Sequence, residues 1–121
     1  MTPQKVQAKL FEARDQIHLI HLNTTSYAEH KALDSFYTEW LSLVDLFIET
    51  YQGKYGKIGG VLNLLSINAG VNARTYLVEL MPYLNDDMAN SIDPKIDADL
   101  ENIIADMKQL VNQTLYLLTL K

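Results

Sequence analysis

Five side chains able to ligate a metal ion, His18, His30, Asp34, Asp45 and Glu49, follow one another at intervals of twelve, four, eleven and four residues. A spacing of four stacks two side chains on one helix face, so His30 with Asp34, and Asp45 with Glu49, each form a two-ligand rung. Imidazole nitrogen and carboxylate oxygen suit iron, zinc and related ions. At about 100° per residue, Asp34 to Asp45 is roughly 1,100°, or about 20° after whole turns, so the two rungs share a stripe about 100° wide. One ion cannot bind both rungs of one chain. Eleven residues rise about 16 Å, whereas a metal–ligand bond is about 2 Å. Either the rungs serve two separate sites, or a second, antiparallel copy related by a two-fold axis sets its Asp45 and Glu49 against His30 and Asp34. Two-fold dimers are the commonest oligomers.

Helices must hold these residues, and the chain supplies them. Thr2-Pro3 is a helix start, after which Val6, Leu10, Ala13, Ile17 and Ile20 recur at helical intervals. Asn23-Thr24-Thr25-Ser26 interrupts the pattern and caps a second helix over 27–52, with Leu33, Tyr37, Trp40, Leu41, Val44, Phe47, Ile48 and Tyr51 as its expected core face and the rungs beside it. Gly53, Gly56, Gly59 and Gly60 mark a connection. The stretch 61–84 is apolar with helical period, either continuous or divided at Gly70 into 61–67 and 71–84, and Pro82 with Asn85-Asp86-Asp87 points to an end nearby. Asp93-Pro94 resembles a cap for a last helix carrying Leu100, Ile103, Ile104, Met107, Leu110, Val111, Leu115 and Leu118. No segment makes a case for a strand, so the expected fold is all-α: one four-helix bundle domain over 1–121.

Composition narrows the function classes. The 121 residues are 48% apolar and 21% charged, enough to bury a core. No cysteine is present, which excludes disulfides, thiolate zinc sites and cysteine nucleophiles. The net charge of −5 argues against a general nucleic-acid binder and is compatible with attracting cations. No apolar run reaches membrane-spanning length and no signal peptide opens the chain, so a cytoplasmic protein with no membrane partner is expected.

Over residues 8–52 the order His18, His30, Asp34, Asp45, Glu49 resembles the ferroxidase signature of the mini-ferritins, the Dps family, with every interval kept. Gly59-Gly60 is similar to the glycine pair after that family's second helix, and Asp97-Ala98-Asp99-Leu100 and Leu115-Tyr116-Leu117-Leu118 to the ends of its fourth. The resemblance implies a ferritin-like bundle and a homo-oligomer of two-fold dimers, as many as twelve subunits. It further implies a ferroxidase that oxidises Fe(II) with peroxide or dioxygen, stores ferric iron and protects against peroxide. His18, His30 and Asp34 would come from one subunit and Asp45 and Glu49 from its mate, with iron as the bound metal. Asp97 and Asp99 could by the same resemblance line an iron entry pore, although as residues they fit a helix N-terminus better. Leu19 stands where the family commonly has Trp, and the connection after the second helix is short. No lysine-rich tail is present, so strong DNA binding is not expected.

Other readings compete for the same residues. His21, three residues from His18, is expected to be a hydrogen-bonded histidine beside the core rather than a ligand. Trp40 and the seven tyrosines belong first to the core or to an interface, although Tyr27, Tyr37 or Trp40 near the site could absorb stray oxidation. A di-iron carboxylate bundle with its site inside one chain needs Glu-x-x-His pairs, and neither Glu79 nor Glu101 has a His three residues later. The alternative to a ferroxidase is a non-enzymatic helical assembly or adaptor that keeps the ligand residues without turnover.

Overall fold

A computed structural model of the chain describes residues 2–60 and 66–121, and among them every regular element is helical. Helix α1 (Pro3–Asn23) starts where the Thr2 hydroxyl accepts the Lys5 N–H at 3.3 Å, with proline filling a position whose N–H needs no partner. Helix α2 (Tyr27–Tyr55) begins with a Ser-x-x-Glu cap, in which Ser26 Oγ accepts the Glu29 N–H at 3.2 Å. Only residues 24–26 separate the two helices, so they fold back on each other as a hairpin. Helix α2 runs three residues beyond the expected end at 52. It stops at Gly56, whose φ of 90° suits a residue without Cβ and whose N–H bonds Gln52 O at 2.9 Å.

The connection to the second half is pinned to α1. Buried Gln16 donates to Asn68 O at 2.9 Å and accepts the Asn68 N–H at 3.0 Å, satisfying its whole amide edge on one loop residue. The short helix expected over 61–67 falls mainly on 61–65, outside the described residues, while 66–68 are not helical. Helix α3 (Ala73–Pro82) is shorter than the expected 71–84, because Asn72 caps it by accepting the Thr75 N–H. Pro82, lacking an N–H, interrupts its ladder. The chain then widens into a π-turn over Tyr83–Met88 that keeps Tyr83, Leu84 and Met88 inside. Helix α4 (Ala98–Leu117) starts at Asp97, four residues later than the Asp93-Pro94 signal suggested.

The helices neighbour one another in the order α1–α2–α4–α3 and back to α1. One apolar cluster runs through all four, from Val6 and Leu10 through Leu33, Trp40 and Val44 to Leu77, Leu80, Ile104 and Met107. Every α1 residue expected in the core is buried. On α2, Leu33, Trp40, Val44 and Phe47 are buried as expected. Phe36, absent from the expected core, is fully buried, while Tyr37, Leu41, Ile48 and Tyr51 are only half-buried. No helix among the described residues is long and apolar enough to cross a membrane.

The ends of α2 and α4 are clamped together by charge. Asp97 is fully buried, and its carboxylate accepts Lys54 Nζ at 2.8 Å, the Tyr55 hydroxyl at 2.6 and 2.7 Å and the Asp93 N–H at 2.8 Å. Lys54 also donates to Asp99 and to Ile96 O, both at 2.8 Å. Hydrogen bonds from Lys54, then Tyr55, then the Asp93 amide hold the Asp97 carboxyl at about 2, below its ordinary 3.8. The same contacts raise Lys54 above its ordinary value. A carboxyl depressed in the folded state adds stability that is complete above its unfolded value and lost as pH falls through the folded one. A raised lysine adds stability that persists until alkaline pH exceeds its ordinary 10.5. The expected melting profile is therefore flat through neutral pH and falls between about pH 4 and 2. Asp97→Asn lowers the plateau and flattens that acid limb, which circular dichroism melts across pH would measure.

Candidate metal-binding face on the helical hairpin

The α1–α2 hairpin brings three histidines and a tyrosine into one ladder of rings. His21 and His30 stack at 3.9 Å between centroids, His18 stacks on Tyr37 at 4.2 Å, and His18 lies 6.1 Å from His21. The inner pair is locked reciprocally. His21 Nδ1 lies 2.8 Å from His30 O, and His30 Nδ1 lies 2.9 Å from His21 O. A carbonyl oxygen only accepts, so each Nδ1 carries a proton, and in the neutral ring the lone pair is on Nε2. Bonding of one ring nitrogen to a main-chain carbonyl is also how metal-ligating histidines are usually oriented.

Carboxylates flank this ladder without closing on it. Asp34 Oδ1 stands 3.9 Å from His21 Nε2, and the Asp34 side chain is 56% exposed. Asp45 and Glu49 are exposed further along α2 and make no ion pair or hydrogen bond among the described residues. Eleven residues of helix separate Asp34 from Asp45 by about 16 Å. Among the described residues no three His, Asp or Glu side chains converge as a metal cage within one chain. His30 and Asp34 thus share one end of the face with His21, His18 turns aside onto Tyr37, and Asp45 and Glu49 stand alone.

The stripe itself differs in position from expectation. Its centre lies roughly 140° around α2 from the centre of the buried face, so Asp34, Asp45 and Glu49 point outward, while His30 alone flanks the core, half-buried against His21 of α1. His21 is, as expected, a hydrogen-bonded histidine beside the core, 8% exposed with its Nδ1 on His30 O, and it is also the histidine nearest a carboxylate. The available signal was its spacing of three from His18 combined with the short hairpin link, which folds His21 onto His30. Asp97, which only the family resemblance put at an entry pore, stands at the start of α4 as its position suggested, buried and fully engaged by Lys54, Tyr55 and the Asp93 amide, so it cannot line one.

Comparison with known proteins changes the family expectation. Residues 21–118 match a family of unknown function, DUF5856. An uncharacterized 14.6 kDa protein in the mobD-ri intergenic region of Enterobacteria phage T4 is 30% identical over 112 residues, covering 93% of this chain and 84% of the phage protein. No solved structure matches. The mini-ferritin resemblance is thereby overturned, since the match over 21–118, which takes in His30 to Glu49, is to this other family and no ferritin family matches. The interval pattern of five residues reproduced a signature without the kinship, because spacings of four and eleven are what any helix uses to align a face.

Proposed function

The chain belongs to the DUF5856 family, and we propose that it is a four-helix bundle that binds a divalent first-row transition ion, iron in the first instance, between two copies of itself. The ligands are drawn from the histidine-and-Asp34 edge of one subunit and from Asp45 and Glu49 of the partner subunit. One observation carries the reading. The outward stripe of α2 is self-complementary about an axis between Glu39 and Trp40, because 30 plus 49 and 34 plus 45 give the same sum. An antiparallel α2 pair in that register faces His30 with Glu49 and Asp34 with Asp45, twice over. A two-fold interface requires this reciprocity. Thr38, Leu41 and Ser42, which would sit nearest the axis, carry no charge to oppose the approach.

Electrostatics gives the pairing its condition. Asp34 facing Asp45 sets like charges together on a chain of net charge −5, so the copies repel until a cation intervenes. Mixed imidazole and carboxylate donors favour iron, zinc or manganese over calcium, which takes oxygen alone. The full-length protein is therefore monomeric in chelator and dimeric with stoichiometric Zn(II), or with Fe(II) under anaerobic conditions, as read by sedimentation velocity. Sedimentation unchanged by either cation would overturn the proposal and favour a metal-free helical adaptor.

A further inference from the structure

We infer that His21, rather than His18, is the imidazole that joins Asp34 in holding the ion, an inference that rests on the metal-binding reading above. The geometry of the inner ring pair carries it. His21 Nδ1–H is occupied by His30 O at 2.8 Å, so His21 can offer a metal only Nε2, and Nε2 is the atom 3.9 Å from Asp34 Oδ1. Two donors each about 2.0–2.2 Å from one ion stand about 3.4 Å apart in a tetrahedral site and no more than about 4.2 Å apart in any site. Closing the difference takes about half an ångström of movement by the exposed Asp34 side chain and none by the helices.

His18 lacks each of these features. Among the described residues its ring nitrogens make no hydrogen bond that would fix the ring, and it has no carboxylate within ion-pair distance. His21 is held on both sides, by the His30 ring at 3.9 Å and by its own Nδ1 bond, so binding freezes little additional motion. His30 fixes His21 through its carbonyl oxygen and stands beside it with its own Nε2 uncommitted. The ion in this arrangement is gripped by His21 and Asp34 of one subunit and closed by Asp45 and Glu49 of the partner subunit.

Long-range proton–nitrogen NMR of the three imidazoles in the full-length protein, with Zn(II) as the probe, tests the assignment. At one equivalent, His21 Nε2 is expected to leave the shift of an unprotonated, uncoordinated nitrogen while His18 stays in place. Movement of His18 with His21 unmoved overturns the inference. In zinc titrations, His21→Gln weakens binding about tenfold or more, whereas His18→Gln stays within about threefold. The outcomes separate the two readings. A zinc-bound monomer in which His21 moves keeps the assignment and sinks the two-fold dimer. A zinc-driven dimer in which His21 does not move does the reverse, and no binding at all removes both.

Discussion

Asp45→Asn combined with Glu49→Gln abolishes the dependence of dimerisation on metal while leaving the helical fold intact. Both side chains are exposed on α2 and have no partner among the described residues, so their amide counterparts disturb no packing and no ion pair. Exposed replacements of this kind change stability by about 0.5 kcal/mol or less. The loss in binding is much larger. A neutral amide is a poor ligand to a divalent ion, and each two-fold dimer loses both residues at both of its sites. The cation-dependent association constant is expected to fall by about two orders of magnitude or more, in line with the loss of direct ligands exceeding the 10–100-fold cost of losing their supporting partners. The Asp45→Asn change also removes the repulsion against Asp34, so some metal-independent association can appear. The decisive quantity is the difference between runs with and without Zn(II), measured by sedimentation velocity. A wild-type difference retained in the double variant would remove Asp45 and Glu49 from the site.

Periodicity located the helices because a buried stripe needs only correct spacing. Val6, Leu10, Ala13, Ile17 and Ile20 could be placed from sequence, and so could Thr2 as a cap and the stretch from Asn23 to Ser26 as the source of the next one. The errors lie where spacing is not the deciding quantity. Phe36 and Tyr37 are adjacent, and a phenol tolerates the half-buried place beside His18 while a phenyl ring does not gain from it, so Phe36 took the core. Asp97 looked like an exposed acidic helix start, yet Lys54 and Tyr55, more than forty residues earlier, bury it. His21 is the hydrogen-bonded histidine beside the core that was expected, but its partner, His30 O, is met only when the hairpin closes across nine residues. In each case the decisive partner is set by tertiary contact, which local sequence does not encode. The family expectation failed differently: helical geometry alone makes a face of aligned ligands, and shared geometry is not shared descent.

Trp40→Ala is expected to have the opposite signature, a large loss of stability with the ligand stripe chemically untouched. Trp40 lies at the middle of α2, fully buried, 5.3 Å from the Phe36 ring, and its indole N–H donates to Leu10 O at 3.1 Å. It therefore belongs to the apolar cluster that runs through the bundle and also ties α1 to α2 by one hydrogen bond. Truncating a buried tryptophan costs about 3–5 kcal/mol, against a total stability of about 5–15 kcal/mol for a domain of ordinary size. Urea denaturation should show a midpoint falling by roughly a third or more with an unchanged slope. Trp40→Phe, which keeps most of the ring and loses the bond to Leu10 O, is expected to cost about 1–3 kcal/mol. A Trp40→Ala loss below about 1 kcal/mol would mean that the bundle is not built around this side chain. The contrast with the carboxylate pair is what gives both results meaning. Trp40 sits next to the proposed two-fold axis, yet its side chain faces the core while Asp34 and Asp45 face outward. Stability and metal-driven association should then respond to different residues of the same helix. At a urea concentration where Trp40→Ala remains folded, it should still dimerise with Zn(II).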